Sequence, residues 1–105
     1  MLGQFNDTAK ITSGGTKLEV TGPVTWDDDE LGAKIRARVT QGDVVASGES
    51  DYTPSSAETW SATLTTHGGT LQSGGPEPAR ADATVSKDDG HTEPYPWRDQ
   101  VELVD

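Results

Sequence analysis

Residues 33–40, AKIRARVT, place an apolar side chain at every second position: Ala33, Ile35, Ala37 and Val39 alternate with Lys34, Arg36, Arg38 and Thr40. Successive side chains of an extended chain point to opposite sides, so a period of two makes a strand with one buried and one solvated face. The same period recurs at Trp60, Ala62 and Leu64 against Ser61, Thr63 and Thr65. It returns again at Ala79, Ala81, Ala83 and Val85 against Arg80, Asp82 and Thr84. Apart from the short DDDELG stretch, no window carries apolar residues at helical spacing. The chain is expected to be all-β.

Turn-forming residues divide these runs. A first strand is expected near residues 8–13, followed by the turn SGGT. Leu18 and Val20 then share a face that Val24 and Trp26 continue after a break at Gly22-Pro23, where a proline suits a bulge or an edge. QGD at 41–43 reads as a hairpin turn into VVASGES, and DYTPSSAE as a loop. HGG and QSGGPEP bracket a short strand or irregular loop around Leu71. KDDG ends the alanine-rich strand, the Pro-rich HTEPYPW reads as connection, and Val101 and Leu103 mark the last strand.

A length of 105 residues fits one domain, 1–105. Its core is expected to be thin, because Leu, Ile, Val and Phe together number 17 and nine further apolar positions are Ala. That level, with high net charge, borders on the composition of disordered chains, but the regular alternation and the three Trp argue for folding. There is no Cys, which excludes disulfide staples, thiol catalysis and Cys-ligated metal; a small domain so placed gains from a metal or from neighbouring subunits. Eighteen Asp and Glu against eight Lys and Arg set the net charge at −10 and the pI near 4.4. Such a surface repels phosphate backbones and anionic lipid, so neither nucleic acid nor membrane is expected as a partner. No segment approaches the roughly 20 apolar residues of a membrane span, and MLGQFNDTAK lacks the charged start and apolar run of a signal peptide.

Six to eight short strands separated by Gly, Pro, Asn and Asp turns suit a β-sandwich, with a closed barrel as the alternative. The order of features, an early Trp26, an inward Trp60, the late alternating ARADATV and the closing WRDQVELV, resembles the immunoglobulin-like and fibronectin type III superfamily. The resemblance rests on spacing, since the Cys pair of antibody domains is missing, and Tyr95 follows the late strand rather than preceding its end. It implies an antiparallel immunoglobulin-like β-sandwich of about seven strands, used for adhesion, recognition or assembly.

Three groups of residues are candidate sites. Asp27, Asp29 and Glu30, together with Asp28, are adjacent carboxylates whose repulsion a Ca²⁺ ion would relieve. Their register does not match an EF-hand loop, so a solvated loop or a helical turn with Asp as its cap competes with calcium. Lys34, Arg36 and Arg38 concentrate basic charge on one strand face. They either pair across strands with acids such as Glu19 or Glu49, or meet an acidic patch on a neighbouring copy, the 27–30 cluster included. Tyr95 and Trp97 offer rings for stacking on a sugar, or simply fill the core. His91 with Asp88, Asp89 and Glu93 forms a chemically varied turn, and no nucleophile elbow or phosphate-cradling loop is present, so no enzymatic activity is expected.

The expected function is that of a non-enzymatic structural or assembly subunit, of the virion, phage-tail, injection-device or surface-filament type. It would act through contacts with copies of itself or with other subunits, outside the cell or on a virion. A carbohydrate- or calcium-binding module is the alternative; no other cofactor is expected.

Overall fold

The computed structural model describes residues 1–52 and 58–105, so most of the DYTPSSAE loop lies outside the described residues. Eight strands are present among them: β1 (Leu2–Gly3), β2 (Thr8–Thr12), β3 (Lys17–Thr25), β4 (Glu30–Gln41), β5 (Val44–Tyr52), β6 (Thr59–His67), β7 (Gly74–Lys87) and β8 (Thr92–Val104). A single 3-10 turn at Ser13–Gly15 follows β2, with Gly14 and Gly15 at positive φ, where a side chain would be strained. Each alternating run became a strand with its apolar positions inward: Trp60, Leu64, Ile35, Val39, Ala81 and Val85 are essentially inaccessible to solvent.

The order of strands is β1-β3-β2-β8-β7-β4-β5-β6, and β6 returns to pair with β3. Seven strands therefore close into one barrel, with β1 attached to the end of β3, where a sandwich would keep two separate sheets. Two short seams make the closure. Thr8, Ala9 and Lys10 of β2 run parallel to Glu102, Leu103 and Val104 of β8, and Val45, Ala46 and Ser47 of β5 pair with His67, Thr66 and Thr65 of β6. Beyond Ser47 the second seam opens, and side chains bridge it. The Tyr52 hydroxyl accepts from Ser61 N at 2.7 Å and donates to Ser61 O, taking the place of a backbone rung.

Two sequence expectations need correction. HTEPYPW is not a connection, because β8 begins at Thr92 and pairs with β7 throughout. Pro94 and Pro96 are two residues apart, so their missing N–H groups fall on one edge. Since β2 meets β8 only at residues 102–104, that edge is open and the prolines cost no ladder bond. Nor does Gly22-Pro23 break its strand, as β3 pairs with β6 continuously from Lys17 to Pro23. Around Leu71 the chain is irregular, with Leu71 buried and its N–H on Gly15 O at 2.8 Å.

The N-terminal residues lie against the barrel's aromatic cluster. Phe5 meets Trp60 edge-on at 5.1 Å, Trp60 meets Trp97 at 5.7 Å, and Trp60 Nε1 donates to Gln4 O at 2.6 Å. That approach requires a glycine at position 22: a Cβ there would sit 1.7 Å from Gln4 O and 2.9 Å from Trp60 Nε1. Gly22→Ala is therefore expected to destabilise the domain by about 2 kcal/mol or more, as overpacking does. Denaturant unfolding measures the loss, and faster hydrogen exchange at the Gln4 and Asn6 amides, which bond Pro23 O and Thr21 O, locates it.

Candidate functional site

On β4 the outward positions carry Lys34, Arg36 and Arg38, and the neighbouring strands determine what each meets. Glu49 of β5 stands opposite Arg36 and takes both of the first two: Arg36 Nε lies 3.1 Å and Lys34 Nζ 3.8 Å from its carboxylate. Arg36, and then Lys34, hold the Glu49 carboxyl below its ordinary range. Pairs this exposed contribute little to stability. Arg38 is different. It stands opposite Arg80 of β7, and Arg80 stands opposite Arg98 of β8. All three are exposed and outward, so guanidinium groups cross three adjacent strands in register, with strands about 4.8 Å apart.

The chain contains four arginines, and all of them lie on this one face. Arg80 Nε pairs with Asp82 at 3.2 Å, whereas Arg38 and Arg98 have no ion-pair partner among the described residues. Arg36, Arg38 and Arg80, with Ser47, Gly48, Glu49 and Asp82, line a shallow open basin of about 540 Å³. Arg80 and Arg98 were missed from the sequence because 42 and 60 residues separate them from Arg38. Only strand register brings them together, although two isolated outward arginines in an acidic chain were a signal worth following.

The acidic run lies at one end of the barrel, between β3 and β4, beside the β7–β8 turn. A bulge at Leu31 sets Glu30 opposite Lys87 and Gly32 opposite Ser86, and this extra residue turns Glu30 inward, against the parity of the rest of β4. Glu30 and Lys87 are both buried, 3.5 Å apart. The ammonium of Met1 sits 2.8 Å from Glu30 and 3.2 Å from Asp27, and Lys87 Nζ lies 3.3 Å from Asp29. The three residues considered for calcium are thus gathered around two amine nitrogens. Among the described residues no group of three or more His, Cys, Asp or Glu side chains is placed to hold a metal ion. Asp88 N donates to Asp29 O at 2.8 Å and ties the two turns together, while the exposed side chains of Asp28 and Asp88 have no partner among the described residues.

The β7–β8 turn forms a clasp around His91. Its Nδ1 faces Asp89 and its Nε2 lies 2.8 Å from Glu93; carboxylates at both nitrogens favour the doubly protonated ring, which donates from both. Glu93, then Asp89, raise the His91 pKa, and His91, then Tyr95, lower that of Glu93 to about 2. Burial opposes the charge on Lys87, but Tyr95 and Asp29 outweigh it and raise its pKa.

Tyr95 and Trp97 take the inward positions of β8. The Tyr95 hydroxyl donates to Glu93 at 2.7 Å, and its ring lies 5.6 Å from the Lys87 ammonium. Trp97 packs on Trp60 and on Gly3, where a Cβ would come within 2.7 Å of the indole. Its Nε1 is buried without a hydrogen-bond partner among the described residues. Both rings are half-buried parts of the core rather than a flat exposed platform.

No protein-family model matches this sequence, and no curated protein matches it. Among solved structures the chain is similar to that of murine CRIg, with a TM-score of 0.54 and 9% sequence identity over 99% of this chain and 98% of that one. At that identity the likeness concerns the fold alone, and it supports an all-β, immunoglobulin-like architecture.

The clasp carries a pH dependence whose sign follows from the two directions. The raised His91 pKa gives a contribution fully present below the ordinary 6.5 and lost as pH rises through the folded value. The lowered Glu93 pKa gives one present above the ordinary 4.5 and lost as pH falls toward about 2. The stability margin of the native chain over His91→Gln is therefore widest between 4.5 and 6.5 and shrinks above that window. Unfolding of both proteins across pH measures the margin, and an NMR titration of the His91 ring is expected to show a midpoint above 6.5.

Proposed function

We propose that this chain is a non-enzymatic assembly subunit that associates with copies of itself through the outer face of β5, β4, β7 and β8. The observation that carries the reading is the register of Arg38, Arg80 and Arg98. Like charges directly opposite on neighbouring strands repel and are destabilising in an isolated molecule. An array of carboxylates relieves that repulsion, because the planar guanidinium fork bonds carboxylate oxygens in pairs. The chain's own composition, 18 acids against eight bases, makes another copy a suitable source of them. In finer detail, we take the barrel as an immunoglobulin-like sandwich whose two sheets have joined along both edges.

Sedimentation across protein concentration tests the proposal. In dilute salt the mass should rise with concentration, and at about 1 M salt, where charges are screened beyond about 3 Å, it should return to that of the monomer. The triple variant Arg38→Gln, Arg80→Gln, Arg98→Gln should associate about a hundredfold more weakly. Its unfolding temperature should be unchanged or higher, since the repelling row is gone. A native chain that stays monomeric throughout would refute the proposal.

A further inference from the structure

The arginine face and the acidic end are features of one molecule, but they lie apart on it. Arg38 is eight residues along β4 from Glu30, about 25 Å at the rise of a strand, in a body measuring 43 × 21 × 20 Å. A chain cannot satisfy its own row with its own tip. In a two-fold contact through this face, the carboxylates nearest the row, Glu49 and Asp82, are already engaged by Arg36 and Arg80.

Internal pairing narrows the groups left over. On the basic face Glu49 engages Arg36 and Asp82 engages Arg80, which leaves Arg38 and Arg98, two strand spacings or about 10 Å apart. At the tip, Asp27 and Glu30 lie on the Met1 ammonium, Asp29 on Lys87, and Asp89 and Glu93 on His91. Asp28 and Asp88 remain, on two turns that the Asp88 N to Asp29 O bond holds side by side. Two unpaired cations on the face are thus matched by two unpaired anions at the end.

We infer that the occupant of the arginine row is the tip of a second copy, with Asp28 and Asp88 seated on Arg38 and Arg98. The contact joins unlike surfaces, so each bound copy still offers a free tip at one end and a free face at the other. Such a contact repeats head to tail and grows an open chain unless its rotation closes a ring. A free polyanion, nucleic acid or acidic polysaccharide, would meet the same row, and the net charge of −10 opposes its approach as it opposes that of a second copy, so the experiment below decides between them.

This inference rests on the proposed role of the arginine face, and a charge-exchange experiment separates the two. One variant, Arg38→Glu with Arg98→Glu, keeps a working tip and loses its face. A second, Asp28→Lys with Asp88→Lys, keeps the face and loses its tip. All four side chains are exposed and unpaired, so both variants should fold, and circular dichroism checks that they do; Asp28→Asn with Asp88→Asn serves if the lysines disturb the turn. Each variant alone should remain monomeric where the native chain forms a ladder of sizes; an equimolar mixture of the two should assemble again, since aspartate tip meets arginine face and lysine tip meets glutamate face, whereas with the asparagine tip variant it should stop at a one-to-one dimer. If the tip variant still assembles while the face variant does not, the tip is not the occupant, although the face still docks. If both assemble as the native chain does, or the native chain is monomeric yet binds heparin through its arginines, both readings fall. A mixture that stays monomeric also overturns the inference.

Discussion

The narrow interior is the constraint on which the architecture depends. Five of the nine alanines line β4 and β7; register sets three of them against larger neighbours, Ala33 with Val85, Ile35 with Ala83, and Val39 with Ala79, and the other two, Ala37 and Ala81, against each other. Each mixed pair fills similar volume, so the two strands stay close along their length, and the cross-section is nearly round at 21 by 20 Å. A wider core of leucines would push the sheets apart. Here the small lining lets both edges meet, through three residue pairs between β2 and β8 and three between β5 and β6. Closure removes most free edges and satisfies backbone groups that a sandwich would leave exposed. The large side chains that such an interior does admit gather at Trp60, where Phe5 and Trp97 add edge-on contacts, each worth about 0.5–1.5 kcal/mol beyond area alone.

The inward residues were legible in the sequence because alternation is a local property. Leu18, Val20, Ile35, Trp60, Leu64, Ala81, Val85 and Leu103 could all be assigned to the core from period alone, and all are buried. What escaped depends on pairing between distant segments. The PYP motif looks like a strand breaker until one knows that one edge of β8 is open beside it. Glu30 looks like a solvated acid until the bulge at Leu31 is seen to turn it toward Lys87. Lys34, Arg36 and Arg38 stood out as a stripe, but the stripe is divided: Glu49 takes two, and the third joins two arginines from other strands. Closure was not read from the sequence, which pointed to an antiparallel sandwich rather than a barrel, because the parallel β2–β8 seam is only three residue pairs long and leaves no periodic trace.

The buried Glu30–Lys87 pair is the costliest element of the interior. Desolvating two charges is offset only when each finds further partners, and both do: Glu30 accepts from Asp27 N at 2.6 Å and from the Met1 ammonium at 2.8 Å, while Lys87 also faces Asp29 and Glu93, the latter at 3.7 Å. The pair sits where the β3–β4 and β7–β8 turns cross. Its orientation fixes those turns, and with them Asp28 and Asp88, as parts of one rigid end rather than two loose loops. A hydrophobic pair would hold the strands equally well, but it would not draw four acidic side chains around two amines and leave Asp28 and Asp88 outside.

An open edge along residues 92–101 of β8 invites a second chain to add a strand. Pro94 and Pro96 work against this, since they present no N–H along the stretch where a visiting strand would need one. Leu2 and Leu31, the most exposed large apolar side chains, lie on different elements, at β1 and at the bulge. The edge thus provides no ready route to association, and the arginine row offers one through charge. Clustering every arginine on one face costs self-repulsion that dispersal among 18 acids would have avoided. Glu49 and Asp82 relieve part of it from within the chain; on the proposed reading a carboxylate-bearing partner relieves the rest, so in dilute salt charge, not the strand edge, should decide whether these domains meet.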